Sequence, residues 1–418
     1  MAPLLLLSRQ PFKGLYLTYQ LFTTVFFRVP IWILTSIPKQ RSKLNSRSWR
    51  PRAHWTMSKS VKLKMTRHMM GITIKTGPLG KIPNHLAITQ GTDVIGIWIP
   101  PIPELIKDEL EIWANISHVT SIQIPGYWQY KKKKSTLDVN AAAFPSIPGE
   151  KIVYSLHGSG YVTFSAHPSD PTAVIGRCLL HHVDSVHRVF SCEYRLSSGE
   201  GVEAQNSFPT ALIDALAGYV YLVRSVQVDP SDIIVEGDSA GGNLALALTK
   251  YLVDHQDSDL PAPPGALILL STWADLSPQV ASPNSSWLNN ADTDYIVMES
   301  LTSSINSFLG PQGLDAASTN PIISPGSQDP AMKLKIDFRG FPRTFIAAGG
   351  AEVFYDMICS LKEKMISDLH EGDGVNPGDG KVHWHCSPDA SHDWVAFSHD
   401  DEERLDTLKA IAAWVAAM

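Results

Sequence analysis

The stretch "DIIVEGDSAGGNLALAL", residues 232–248, decides how this chain is read. "DIIVE" is a short β-branched, apolar run of the kind found in buried parallel strands, and "AGGNLALALTKYL" continues as a helix candidate. Between them Gly237, Asp238, Ser239, Ala240 and Gly241 fit the pattern G-x-S-x-G. Alone the pattern is weak, because glycine and serine are common. Set between a strand and a helix it matches a nucleophile elbow: the glycines permit a cramped turn and the helix N-terminus stabilises negative charge at the hydroxyl. Ser239 is therefore a candidate nucleophile rather than a residue of an ordinary tight turn.

A serine needs a base, and the base needs a carboxylate to hold it, here expected downstream in the order acid then histidine. His392, in "SPDASHDWVAF" (387–397), follows the last strand candidate "KVHWHCS" and is read in a polar loop before an aromatic helix start. That position favours it over His383 and His385. Two acids follow the strand candidate "RTFIAAGG", within "GGAEVFYDM" (349–357). Glu352 sits at the strand end, whereas Asp356, a helical turn later, suits a capping or loop-positioning role; both stay open on position alone. "LHGSGY" (156–161) ends another strand candidate, and its His157 and Gly158 lead into a Gly-rich turn. The N–H groups of Ser159 and Gly160, with that of Ala240, are the expected donors to the oxygen that becomes negative when Ser239 attacks a carbonyl.

Around these motifs "KIVYSL", "HRVFSC", "GALILL" and "RTFIAAGG" alternate with helical segments such as 209–225 and 240–254, which predicts a mostly parallel, doubly wound α/β sheet. The Pro-, Ser- and Asn-rich interval 276–338 reads as an insertion over the C-terminal edge of that sheet, and 371–381 as an exposed loop. Residues 51–418 are taken as the catalytic domain, with cap contributions from about 51–90 and from 276–338.

The chain has 418 residues and is 44% hydrophobic, ample for a sizeable core. A formal charge of −6 with mixed signs gives no footprint for nucleic acid. Lys131 to Lys134 are read as a solvated loop beyond a strand. Cys178, Cys192, Cys359 and Cys386 are too dispersed for a disulfide scaffold or a CxxC site. In "HWHC" a strand would put His383 and His385 on one face, so no metal site is expected. Residues 1–50 form an apolar anchor or cap segment, its run 14–38 divided by Arg28 and Pro30 and followed by Lys39, Arg41, Lys43, Arg47, Arg50 and Arg52. A bent span, an interfacial helix and a cap over the active site are the readings for it. "NIS" at Asn115 and "NSS" at Asn284 do not decide the side of a membrane.

Taken together, HGSG, "EYRLSS", GDSAGG, "GGAEVFYD" and "SHDW" resemble the hormone-sensitive-lipase-like group of α/β-hydrolases over about residues 90–415. "RVPIWIL" and "RAHWTMSKSV" resemble fungal members. Two departures stand out: Ser159 occupies the second glycine of the usual HGGG, and Glu352 the first position of DxxxD. The second raises Glu352 over Asp356. The resemblance implies a cofactor-free carboxylic ester hydrolase for a lipophilic small molecule, in fungal secondary metabolism or as a steryl acetate deacetylase. Its rival is a non-catalytic binding relative. Endoplasmic reticulum membrane and cytoplasm are the two placements, and the oligomeric state is left open.

Overall fold

The computed structural model describes residues 6–36, 51–52, 54–77, 84–91, 94–131, 149–199, 203–256, 259–277, 284–397 and 401–418. Eight strands form one sheet: β1 (Ile95–Ile99), β2 (Ile124–Tyr130), β3 (Lys151–Leu156), β4 (Val186–Cys192), β5 (Ile233–Asp238), β6 (Ala266–Leu270), β7 (Arg343–Gly349) and β8 (Val382–Ser387). Their spatial order is β1-β2-β4-β3-β5-β6-β7-β8. The strands from β3 to β8 run parallel, as the alternating pattern predicts, while β2 pairs antiparallel with both β1 and β4. Sequence reading did not resolve that antiparallel edge, because "IGIWI" and "IPGYWQY" are short and carry Gly and Pro.

The central strands are buried along their whole length, which is why β5, β6 and β7 read as continuous apolar runs. Their side chains still alternate: Ile233 and Val235 face one core, Ile234 the other. The first core is closed by α5 (Thr210–Val220), α6 (Ala240–Asp254) and α8 (Tyr355–Leu369), the second by α4 (Val174–His182) and α9 (Asp401–Ala416). α3 (Asp108–Ser117) packs at the antiparallel edge, and α7 (Met298–Leu309) lies within the insertion.

Among the described residues, the long helices α1 (Phe12–Ser36) and α2 (Met57–Thr76) precede the sheet. Arg28 and Pro30 do not divide α1. The turn Thr24–Arg28 is π-wound, a widening that accommodates the N–H missing at Pro30, and the helix runs on. The basic flank from Lys39 to Arg50 and Lys132 to Lys134 lie outside the described residues.

Candidate active site

Strand β5 ends at Asp238, and Ser239 takes the turn at φ 52° and ψ −116° before α6 begins. A side chain at Gly237 would place its Cβ 2.2 Å from the Gly241 carbonyl oxygen, and one at Gly241 would come within 1.8 Å of the Leu156 carbonyl oxygen. Only glycine fits where the backbones approach so closely. The elbow is pinned by the Ser239 N–H donating to Leu270 O and the Trp273 N–H donating to Ser239 O, both at 2.9 Å.

Ser239 Oγ lies 3.0 Å from His392 Nε2, and His392 Nδ1 lies 2.9 Å from Glu352 Oε2. All three side chains are buried. The second Glu352 oxygen, Oε1, accepts the Gly349 N–H at 2.6 Å. Asp356, by contrast, occupies the first turn of α8 and accepts the Ser286 N–H at 2.7 Å, tying the insertion to that helix. The structure thus brings Glu352, and not Asp356, to the histidine. His383 and His385 both stack on Phe345, on one face of β8, with His383 bonded to Asp373 and His385 to Thr407. The imidazole is buried, and one detail of its loop differs from expectation: residues 394–396 form turns and Phe397 a bend where a helix start was read, the next described helix being α9.

In the loop after β3, the Gly158 N–H is taken by Asp238 Oδ1 at 3.0 Å. The N–H groups of Ser159, Gly160 and Ala240 have no protein acceptor among the described residues, so they stay available to an oxyanion. Ser159 accepts the left-handed backbone a glycine would use, φ 94°, and its hydroxyl donates to the Thr163 carbonyl. The extra side chain is therefore turned into its own loop. Gly160 has no such room, because a Cβ there would lie 2.8 Å from Ser304 Oγ of α7. Beneath the loop, Tyr194 stacks on His157 and donates to its carbonyl at 2.7 Å. Burial lowers His157 to about 4, so its ring is neutral.

Four further carboxylates crowd the site. Asp393 Oδ2 sits 3.2 Å from His392 Nε2, the same nitrogen that faces Ser239. Burial pushes Glu236 up to about 8 and Asp238 well above its ordinary value. For His392 burial works against the charged ring, yet Asp393 and then Glu352 outweigh it and hold the imidazole well above its ordinary value. Asp294, from the insertion, and Asp238, from the end of β5, also act on this ring. A general base must be neutral before it takes a proton. The rate kcat/KM is therefore expected to climb with pH through a midpoint above the usual imidazole range. Asp393→Asn keeps the residue's φ of 49°, which Asn tolerates, and should move that limb to lower pH. A pH profile of the variant with an unmoved limb would show that Asp393 does not set it.

Two arms hold the acid and histidine loops together. Asp294 accepts the Val353 N–H at 2.8 Å, and Asn290 donates to the Glu352 carbonyl at 2.9 Å. From the N-terminal side Arg52 donates to Gly350 O at 2.6 Å and to Asp389 Oδ1 at 2.7 Å, joining the loop before Glu352 to the loop before His392. Tyr295 and Phe354 set their rings edge-on to the imidazole, giving the site an aromatic wall. Sequence reasoning missed Asp393 and Arg52. The first was adjacent to His392 in "SHDW" and carried a signal; the second, read only as part of the basic flank, acts across 298 and 337 positions and carried no signal for this role.

A family profile described as alpha/beta hydrolase fold matches residues 153–387, more than half of the chain. The chain belongs to the α/β-hydrolases. Similar proteins include an esterase of Acinetobacter venetianus, 28% identical over 51% of this α/β-hydrolase and 61% of the relative. An arylacetamide deacetylase of Mus musculus is 32% identical over 28% of each chain. The match thus spans less than two thirds of these relatives. A solved hormone-sensitive lipase from a metagenome library superposes with a TM-score of 0.51 at 24% identity, covering 70% of this chain and 82% of that one. That likeness speaks to the fold.

Proposed function

We propose that this α/β-hydrolase is a serine carboxylic ester hydrolase acting on a lipophilic small-molecule ester. The observation that carries the reading is the buried, two-bond chain from Ser239 through His392 to Glu352. Ser239 Oγ attacks the ester carbonyl carbon while its proton passes to His392 Nε2. The carbonyl oxygen takes the negative charge and is held by the N–H groups of Ser159, Gly160 and Ala240. Collapse breaks the bond to the alcohol, which leaves with the proton from Nε2. Water then gives its proton to Nε2 and attacks the acyl carbon, and collapse of this second intermediate breaks the bond to Ser239 Oγ, which takes the proton back from Nε2 as the carboxylic acid leaves. Glu352 keeps Nδ1 protonated throughout, so that Nε2 faces the serine as an acceptor. A merely binding relative has no use for this arrangement. The names esterase and deacetylase among similar proteins support the same chemistry. Purified protein should release p-nitrophenol from a series of p-nitrophenyl esters of graded acyl length; no turnover of any member would overturn the reading.

We also infer that α1 rests on a membrane. A helix on a soluble protein buries its apolar stripe, and α1 does the reverse. Tyr16, Gln20, Thr24, Arg28, Trp32 and Ser36 recur every fourth residue, and of these Gln20, Thr24 and Ser36 are buried. Leu15, Leu21, Phe22, Phe26, Ile31 and Leu34 stand at least half exposed. At about 1.5–3 kcal/mol per large apolar side chain removed from water, covering this face contributes on the order of 5–10 kcal/mol even at half exposure. Alongside α1 packs α2, with Thr24 Oγ1 2.8 Å from His68 Nε2 and the Trp32 ring 5.7 Å from that of His68. Helix α2 carries Lys59, Lys62, Lys64, Arg67 and Lys75. A spanning α1 would draw these charges toward hydrocarbon at a cost of roughly 2.5–3.5 kcal/mol each, which favours a helix lying in the interfacial plane.

A further inference from the structure

The seam between α1 and α2 holds an open cavity of about 410 Å³. Arg28 from α1 and Lys64, Arg67, His68 and Lys75 from α2 line it, and among the described residues no carboxylate does. Arg67 donates to the Ala291 carbonyl and Lys64 reaches Thr35 Oγ1 at 3.5 Å, with Asp292 acting on it from the insertion. Arg28 and Lys75 have no hydrogen bond or ion pair to any protein group among the described residues. Burial first, then these two cations, depress the basicity of His68, so their charge reaches the seam uncompensated. Gln20 also lines the cavity, and its buried Oε1 has no hydrogen-bond partner. Concentrated cations around an orphaned acceptor suit a ligand that brings both negative charge and a hydroxyl.

We propose that this cavity binds the phosphate and hydroxyls of an anionic phospholipid headgroup, with the acyl chains running over the exposed apolar face of α1. Phosphate oxygens meet Arg28, Lys64, Arg67 and Lys75, and a headgroup hydroxyl donates to Gln20 Oε1. The lipid, rather than a free phosphate compound, is the source because α1, which supplies one wall of the cavity through Gln20, Arg28 and Trp32, also exposes the apolar side chains Phe26 and Leu34. This inference rests on the interfacial placement of α1, and is independent of the ester chemistry at Ser239.

The test is co-sedimentation of the full chain with vesicles of phosphatidylcholine alone and of phosphatidylcholine doped with phosphatidylinositol. The parent should bind both, the doped vesicles on the order of tenfold more tightly or better, since each basic residue near an anionic surface contributes roughly a fivefold factor. Arg28→Gln combined with Lys75→Gln should erase that increment and keep the binding to phosphatidylcholine. Lys333→Gln combined with Lys335→Gln, outside the cavity, should keep both. Thermal midpoints equal to the parent's establish that each variant is folded, and Lys75→Gln alone replaces a double variant that is not. An increment unchanged by the cavity variant, or lost equally in the control, overturns the headgroup site. So does displacement from doped vesicles by millimolar glycerol 3-phosphate, which would assign the cavity to a soluble phosphate. Absence of parent binding to either vesicle overturns the membrane placement itself.

Discussion

Ser239→Ala should lower kcat for p-nitrophenyl esters by on the order of 10³- to 10⁶-fold, the range expected when the nucleophile of an interdependent triad is lost. The substitution removes one oxygen and little else. The two hydrogen bonds that pin the elbow, to Leu270 O and from Trp273 N–H, are made by the Ser239 backbone and survive it. Alanine inherits the left-handed backbone at φ 52° with the same Cβ that serine places there. An unchanged thermal midpoint together with lost turnover therefore separates chemistry from folding. Unchanged turnover would remove Ser239 from the reaction and with it the ester-hydrolase reading.

Glu352→Gln should cost on the order of 10³- to 10⁴-fold in kcat, and Asp356→Asn less than about tenfold. The reason lies in what each carboxylate faces. The Gly349 N–H donates to Glu352 Oε1, so a glutamine here keeps its carbonyl oxygen on that donor and turns its amide NH₂ toward His392 Nδ1. The imidazole then presents a lone pair at Nδ1 and carries its proton on Nε2, where it cannot accept one from Ser239. At position 356 the change alters the acceptor for the Ser286 N–H and leaves the histidine untouched. Its effect should appear in stability, about 1 kcal/mol, before it appears in rate. Steady-state kinetics and melting curves on the two variants check both statements, and the reverse order of effects would make Asp356 the acid.

How much of this was legible beforehand follows from how local each constraint is. The elbow was readable because Gly237 and Gly241 answer to backbone atoms only a few residues or one strand away, and the flanking strand and helix have strong periodicities. His392 and Glu352 were readable as residues closing strands β8 and β7. The choice between Glu352 and Asp356 was not decided by spacing, since both lie within one helical turn; it needed the path of the chain. The insertion was visible as a change in composition, yet its contributions through Asn290, Asp294, Tyr295 and Ser304 depend on tertiary packing alone. The consequence of Ser159 was also hidden, because only the folded loop shows its hydroxyl turned onto Thr163. Helix α1 was recognisable as apolar, but its polar stripe acquired meaning only when α2 was found against it.

The most direct measurement of Ser239 as an activated nucleophile is the intact mass of the protein after reaction with a fluorophosphonate, followed by peptide mapping. One adduct per chain is expected, located on the peptide containing Ser239 and absent from Ser239→Ala. An unmodified parent chain, or an adduct of equal yield in the variant, would contradict it.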